Sequence, residues 1–245
     1  MWGMATNTKK KRRANALREV KISKFPAAAP GSLMIEMGET KVICTASVAS
    51  NPPKWLPRDE EGNFVKGWVS SEYNMMPGST PERKRRGPDS RGTEIQRLIG
   101  RCLRAAIDLE KMPGVAITCD CDVVKADGGT RTASITGAWI ALSLAVKWAM
   151  SEGLIKKNPI KGPLAAISVG IVDGDAYLDL DYELDVRAEV DMNVAMNHKG
   201  EYVELQGTGE AGVFDRKQLD ELLDLADKGI KKLIRMQRGA VKELR

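Results

Sequence analysis

A glycine turn followed by two threonines and an arginine lies between a predicted strand and a predicted helix, where residues 126–134 read Ala-Asp-Gly-Gly-Thr-Arg-Thr-Ala-Ser. The first amide groups of a helix have no partner inside the helix and attract anions. Arg131 adds a planar donor group that matches phosphate oxygens, and the glycines let the backbone approach a ligand closely. This pattern predicts a phosphate site, with an ordinary helix N-cap at Thr130 or Thr132 as the alternative.

Acidic residues crowd together in the second half of the chain, namely Asp179, Asp181, Glu183, Asp185, Glu189 and Asp191. Alternation predicts that Asp179 and Asp181 share one face of a strand, and Asp185 and Asp191 flank a predicted bend. Carboxylates this close repel each other unless a cation or a proton intervenes, and oxygen ligands suit Mg²⁺. The pattern indicates either a magnesium site or an exposed acidic turn.

Positive charge is concentrated in two regions of a chain whose net charge is +5. Residues 1–24 form the first basic region, and the second comprises Arg83, Lys84, Arg85, Arg86, Arg91, Arg97, Arg101 and Arg104. Helical spacing predicts that Arg97, Arg101 and Arg104 project together. Two basic regions favour a polyanionic partner such as RNA, with a solvated arm and a solvated helix face as the alternative.

The sequence lacks the residues that several common classes of catalytic and binding site require. The single histidine, His198, argues against a Ser-His-Asp triad, and the chain has no P-loop, dinucleotide or zinc motif. The four cysteines fall in predicted strands or a helix and are expected to be reduced and buried, which favours a cytoplasmic protein. No apolar run approaches the roughly 20 residues that span a bilayer, so no membrane partner is predicted.

The predicted elements that position these residues follow the order strands, helices, strands and a final helix. A hairpin is expected over residues 33–48, and residues 51–91 are expected to be largely loop. Further strands are predicted at 115–124, from 164, at 176–182, 190–196 and 202–206, and helices at 93–109, 132–150 and 216–244. Strand blocks covered by helices indicate an α+β layered fold rather than a doubly wound sheet.

Motifs along the chain resemble the bacterial ribonuclease PH family, which is related to exosome ring subunits and polynucleotide phosphorylase. They begin at Glu94 (Glu-Ile-Gln-Arg-Leu-Ile-Gly-Arg), Asp120 (Asp-Cys-Asp-Val), Ala126, Ala165 (Ala-Ala-Ile-Ser-Val-Gly), Leu178 (Leu-Asp-Leu-Asp-Tyr), Asp191 (Asp-Met-Asn-Val) and Gln206 (Gln-Gly-Thr). The similarity extends over residues 17–237. It implies a ribosomal protein S5 domain 2-like βαβα fold, with a single domain at 17–245 after a flexible basic arm at 1–16.

The resemblance also implies an activity, a phosphorolytic 3′→5′ exoribonuclease that trims the 3′ ends of transfer RNA precursors and takes part in ribosomal RNA processing. Inorganic phosphate is the co-substrate, and its attack on the terminal phosphodiester releases a nucleoside diphosphate. The family's phosphate ligands correspond to Arg91, Gly129, Thr130 and Arg131, and its catalytic or metal-linked carboxylates to Asp185 and Asp191. The implied cofactor is Mg²⁺, and the implied assembly is a homohexamer, a trimer of dimers.

Basic residues that could contact RNA are Arg12, Arg83, Arg85, Arg86, Arg97 and Arg101. The family's N-terminal Arg-x-Asp-Gly-Arg element is reduced in this chain to Arg12, and its Pro-Arg loop dipeptide is Pro77-Gly78. Two functions are open at this point, an active phosphorolytic enzyme and a catalytically weak RNA-binding ring subunit of an exosome-like complex. Retention of the phosphate ligands and of both aspartates favours the enzyme.

Overall fold

The first of two sheets holds five strands in the computed structural model, which describes residues 12–87 and 89–244. Its strands are β1 (Val20–Lys24), β2 (Gly31–Met37), β3 (Thr40–Ala49), β4 (Trp68–Met75) and β5 (Ala116–Lys125), in the spatial order β1-β2-β3-β5-β4. The edge strand β4 runs parallel to β5, and the other pairs are antiparallel. Alternate residues are buried, as expected for a sheet with one covered face.

The second sheet is antiparallel throughout. Its strands are β6 (Leu164–Val172), β7 (Asp175–Leu178), β8 (Val190–Asn197) and β9 (Tyr202–Gly209), in the order β7-β6-β8-β9. Every residue of β6 is buried, because neighbouring strands and helices enclose it. The predicted strands at 190–196 and 202–206 are confirmed by β8 and β9.

In the described ranges, four α-helices pack on the sheets. They are α1 (Ser90–Ala105), α2 (Thr130–Ser151), the short α3 (Tyr182–Arg187) and α4 (Arg216–Glu243). Helix α2 contacts β2 and β3 of the first sheet and β6 of the second, so one continuous hydrophobic core passes through both halves. Two sheets packed with helices confirm the predicted α+β fold class.

Helix α2 is apolar on all sides because both sheets cover it. Its length and mean hydropathy of 1.3 would be enough for a membrane span, and 83% of its apolar window is buried within the fold, as in a core helix. The approach to the first sheet is close at Gly137, where a Cβ atom would lie 2.6 Å from the Cys44 sulfur. Helix α2 therefore packs closely against β3 at Gly137.

Residues 51–91 contain strand β4, which the expectation of a loop missed. Val69, Ser71 and Tyr73 are buried at alternate positions of this strand. Ser71 is itself polar, so the sequence lacks the alternation of apolar and polar residues that would indicate a strand. Helix α1 also begins at Ser90, three residues before the predicted start, because the Asp89 side chain accepts a hydrogen bond from the Gly92 amide and caps the helix.

The strand predicted at 176–182 ends early, at Leu178. Asp179 has a φ of 60°, a left-handed conformation that is uncommon for a residue with a side chain, and it turns the chain out of the sheet. Asp181 then caps α3, since its side chain accepts a hydrogen bond of 3.1 Å from the Leu184 amide. The prediction that Asp179 and Asp181 share a strand face is wrong.

Residues 12–16 are bonded to the second sheet, contrary to the prediction of a flexible arm that ends at residue 16. The Leu178 amide donates to the Ala14 carbonyl over 2.8 Å. The Arg12 guanidinium donates to the carbonyls of Leu178 (2.9 Å), Asp179 (2.6 Å) and Ala16. The remainder of the predicted arm, residues 1–11, lies outside the described residues.

Candidate active site

The turn predicted to bind phosphate joins β5 to α2. Gly128 and Gly129 have φ values of 72° and 63°, and a Cβ atom at Gly128 would lie 2.6 Å from the Leu180 carbonyl oxygen. Gly129 is the N-cap of α2 and has no side-chain cap, while the Thr132 hydroxyl donates to the Gly129 carbonyl over 2.9 Å. The ordinary threonine N-cap is therefore not formed, and no side chain blocks the anion-binding amides at the start of the helix.

Thr130 begins α2 and is held by a tyrosine of β4. The hydroxyl oxygens of Tyr73 and Thr130 are 2.9 Å apart, and both residues are buried. Burial raises the pKa of the Tyr73 hydroxyl, whereas its hydrogen bond with Thr130 and the charges of Arg91 and Arg131 oppose that shift. Tyr73 is thus a support of the phosphate turn that lies in the field of both arginines.

The two arginines predicted to bind phosphate lie in the first turns of different helices, and both charges act on the carboxylate of Asp185. Arg131, in the first turn of α2, donates to the Gln206 side-chain oxygen over 2.7 Å, and Gln206 in turn donates to Glu94 over 3.2 Å. Arg91, in the first turn of α1, is exposed and forms no hydrogen bond or ion pair with any described residue. Both charges act on the Asp185 carboxylate, so the structure brings the two arginines to one site.

The two aspartates predicted to be catalytic come together from α3 and β8. Burial raises the pKa of the Asp185 carboxyl, and the negative charge of Glu210 adds to the effect, while Arg91 and Arg131 oppose it. Burial, followed by repulsion from Asp185, raises the pKa of Asp191 to about 6. The two carboxylates are therefore close enough for the charge of Asp185 to raise the pKa of Asp191, and the charge of Arg131 lowers the pKa of both.

One carboxylate oxygen of this pair has no partner. The Oδ1 atom of Asp191 is buried without a hydrogen bond among the described residues, while Oδ2 accepts a long contact of 3.5 Å from Asn193. Buried carboxylate oxygens need a donor, a proton or a cation. In the described part of the chain no three acidic, histidine or cysteine residues are grouped so that they could hold a metal ion, and a cation at Asp185 and Asp191 would need water or phosphate to complete its ligands.

The residues predicted to contact RNA separate into two groups. Arg83, Arg85, Arg86 and Arg97 are exposed, the first three between β4 and α1 and the last on α1. Arg101 pairs with Glu204 of β9 over 3.2 Å.

Arg104, the third of the arginines predicted to project together, has partners of its own. Its guanidinium donates to the Val69 carbonyl over 2.9 Å and lies 4.7 Å from the centre of the Trp68 ring. The three arginines lie on one face of α1, as the spacing predicts, but Glu204 and the first sheet supply partners for Arg101 and Arg104. Arg12 is likewise directed at carbonyl oxygens of its own chain.

Tyr73, Gln206 and Glu210 belong to the site and were missed by sequence reasoning. Tyr73 reaches it from β4, whose partner β5 is distant in the sequence, and Glu210 follows the end of β9, so local patterns carry no signal for either residue. Gln206 lies in one of the motifs that carry the family resemblance, and its position there is the one available signal.

A glycine turn at the start of α2, two arginines whose charges act on Asp185, and two neighbouring carboxylates, in a fold of two sheets packed with helices, are typical of an enzyme that uses phosphate. Residues 16–147 match the 3′ exoribonuclease family, domain 1, and residues 162–229 match the 3′ exoribonuclease family, domain 2. The chain belongs to the ribonuclease PH family of 3′ exoribonucleases. Membership confirms the predicted reaction, the phosphate-dependent 3′ processing of transfer RNA by an enzyme of the nucleotidyltransferase type.

Similar proteins support this assignment in sequence and in fold. Ribonuclease PH of Corynebacterium efficiens is 48% identical over 236 residues, which cover 94% of each chain, and that of Corynebacterium glutamicum is 47% identical over the same length and shares. The exosome of Archaeoglobus fulgidus with RNA bound to the active site has a TM-score of 0.77 at 22% identity, covering 91% of this chain and 89% of that one. Rice (Oryza sativa) Rrp46 has a TM-score of 0.75 at 19% identity, covering 95% and 98%.

Proposed function

We propose that the turn between β5 and α2 binds the attacking phosphate. The amides at the start of α2 and the Thr130 hydroxyl hold its oxygens, and Arg91 and Arg131 neutralise its charge. The observation that carries this proposal is the start of α2, where a left-handed glycine replaces a capping side chain and Arg131 is oriented by Gln206. An oxygen of this phosphate attacks the terminal phosphodiester phosphorus of the RNA, and the bond from phosphorus to the 3′ oxygen breaks.

The products of this displacement are a nucleoside 5′-diphosphate and an RNA shortened by one nucleotide. The leaving 3′ oxygen takes up a proton, and the Asp191 carboxyl can supply it, since its raised pKa of about 6 leaves a fraction of the molecules protonated there near neutral pH. Asp185 and Asp191 would also hold Mg²⁺, which when bound supplies positive charge against the reacting phosphates.

Positioning the two reactants is the main task of the other charged residues. A phosphate ion and an RNA phosphodiester repel each other, so fixed positive charge at the site lowers the barrier. The exposed Arg83, Arg85, Arg86 and Arg97 guide the RNA backbone towards the site without reading its sequence.

Assembly and location extend the same proposal. A homo-oligomeric ring, a hexamer built as a trimer of dimers, would cover apolar side chains that the single chain leaves exposed, such as Val213 and Trp55. The RNA-bound exosome of Archaeoglobus fulgidus shares the fold, which supports a ring arrangement for this chain. All four cysteines are free and buried, which suits the reducing cytoplasm.

The activity is tested by incubating the purified protein with a 3′-extended transfer RNA and Mg²⁺, with or without phosphate. We expect nucleoside diphosphates only when phosphate is present. Nucleoside monophosphates without phosphate would show hydrolysis, and RNA binding without any product would show a ring subunit that has lost its chemistry.

Arg131→Ala tests the assignment of the phosphate ligands in the same assay. Removing a guanidinium that makes charge-assisted hydrogen bonds is expected to lower phosphorolysis at least about tenfold, since such bonds contribute about 1.5–3 kcal/mol each. Affinity for the transfer RNA should change less than about threefold, measured by fluorescence anisotropy. Arg216→Ala, which removes an exposed arginine of α4, is the matched control and should leave both quantities unchanged. An equal loss of turnover and RNA affinity would contradict the role of Arg131.

A further inference from the structure

A buried ion pair lies directly behind the phosphate turn. The Arg18 Nη2 atom is 2.7 Å from Oδ1 of Asp179, and the two side chains are 6% and 0% exposed. The backbone amide of Arg18 donates to the other carboxylate oxygen over 2.8 Å, so Arg18 occupies both oxygens of Asp179. Desolvating two charges costs free energy that an apolar pair would not, and the pair therefore calls for a role beyond stability.

The arginine of this pair also holds the turn itself. Its Nη1 atom donates to the carbonyl of Asp127 over 2.5 Å, one residue before the glycines. Its Nη2 atom lies directly beneath Gly129, where an added Cβ atom would be 2.9 Å away. The guanidinium thus touches the first residue of the turn and passes under its last residue, the N-cap of α2.

The aspartate of the pair belongs to the segment that leads into α3. Asp179 keeps its left-handed conformation with its amide donating to the Ser168 carbonyl over 2.7 Å, and the next amide, Leu180, donates to the Ser168 hydroxyl over 3.0 Å. Helix α3 carries Asp185, and the Arg18 charge acts on that carboxylate as well. One ion pair therefore connects the phosphate turn to the segment that positions a predicted catalytic aspartate.

We infer that Arg18 and Asp179 are positioning residues, which hold the amides at the start of α2 towards the phosphate and fix the phosphate turn relative to the segment bearing Asp185. This inference rests on the proposed function. Neither residue contacts phosphate or RNA. Arg18 acts through the Asp127 carbonyl and through its positive charge behind Gly129, and Asp179 acts by fixing both the guanidinium and the backbone of Arg18.

Arg18→Lys and Asp179→Asn test the inference. A lysine keeps the charge and cannot bond the Asp127 carbonyl and the Asp179 carboxylate in the same planar arrangement. We expect the KM for phosphate to rise about tenfold or more in both variants, while the KM for transfer RNA changes less than twofold. Lys21→Met is the matched control, because it breaks the exposed Lys21–Glu19 ion pair three residues further along and should leave both KM values unchanged.

Hydrogen exchange supplies a readout that does not depend on turnover. Phosphate should slow exchange of the amides at residues 129–132 in the wild-type protein, and it should slow them much less in Arg18→Lys at the same phosphate concentration. A merely structural pair would lower the melting temperature and leave both the phosphate KM and this protection as they are in the wild type. That result, or an equal rise of the two KM values, would overturn the inference.

The failure of the inference can be told apart from failure of the proposed function. If the wild-type protein shows no phosphate-dependent release of nucleoside diphosphates, the proposed function fails, and the loss of protection in Arg18→Lys still decides whether the pair positions the turn. If the wild type is phosphate-dependent and the folded Arg18→Lys variant matches it in phosphate KM, the inference alone fails. Should Asp179→Asn not fold, Arg18→Lys carries the test.

Discussion

Replacing Asp191 by asparagine is expected to stabilise the protein while it abolishes activity. Burial, followed by the charge of Asp185, raises the pKa of the Asp191 carboxyl from its ordinary value of 3.8 to about 6. The folded protein therefore binds a proton at this site more tightly than the unfolded chain does. The stabilising effect of that proton is fully present below about pH 4 and is lost as the pH rises through about 6.

The size of the effect follows from this difference in pKa. A shift of about two units corresponds to about 3 kcal/mol, since each unit is about 1.36 kcal/mol, and this is the cost of ionising Asp191 in the folded protein at pH 7–8. Asparagine has nearly the same shape and no charge to desolvate. Asp191→Asn should therefore raise the free energy of unfolding by up to about 3 kcal/mol at pH 8, and by close to zero at pH 4.

Urea unfolding followed by circular dichroism at pH 4, 5, 6, 7 and 8 measures this dependence. The buffers should contain a chelator and no phosphate, because a bound cation would stabilise the ionised carboxylate. Adding Mg²⁺ at pH 8 should then stabilise the wild-type protein by mass action and leave the variant almost unchanged. A variant that is less stable than the wild type at pH 8, or a difference that does not vary with pH, would refute the electrostatic reasoning.

Two further predictions concern a support of the phosphate turn and the arginines that guide RNA. Tyr73→Phe removes the hydroxyl 2.9 Å from Thr130 and should raise the phosphate KM about fivefold, the effect of one neutral hydrogen bond, with little change in the RNA KM. Steady-state kinetics at saturating RNA measure the phosphate KM, and an unchanged value would contradict the role of Tyr73. Replacing Arg83, Arg85 and Arg86 together by alanine should weaken RNA binding and lower the slope of log affinity against log salt by about two, since each phosphate contact with single-stranded RNA contributes about 0.7. A salt titration of RNA binding measures the slope, Arg216→Ala is the control, and an unchanged slope would show that these arginines do not contact the RNA.

The part of the site that the sequence predicts is the part made by neighbours along the chain. The turn before α2 was predictable because a strand, two glycines and a helix start are consecutive along the chain, and its role as a phosphate site stays a prediction. The carboxylate segment was misjudged because one residue, Asp179, leaves the strand in a left-handed conformation. Local patterns do not reveal this conformation, because Arg18 and Ser168, the residues that bond to Asp179, lie elsewhere in the sequence.

Partners distant in the sequence explain the remaining differences. Arg101 and Arg104 share a helix face with Arg97, so spacing alone assigns all three to solvent or to RNA. In the structure Arg101 pairs with Glu204 of β9, and Arg104 lies over the Trp68 ring of β4. Both partners are known only when the sheets are assembled. Strand β4 was also missed because its partner is distant in the sequence. It pairs with β5, and the residues around β4 do not reveal that pairing.

The charges at the site lead us to expect that the binding of phosphate, protons and a divalent cation is linked. The charges of Arg91, Arg131 and Arg18 act on Asp185, whereas Asp191 has only the charge of Arg131 to offset the repulsion from Asp185 and Glu210. A phosphate ion and an RNA phosphodiester add further negative charge in a partly buried space, where repulsion is strong. We therefore expect phosphate to bind more tightly when Asp191 takes up a proton or when a divalent cation binds the two aspartates. Since both events act on the same carboxylate, raising the pH should make phosphate binding depend more strongly on Mg²⁺.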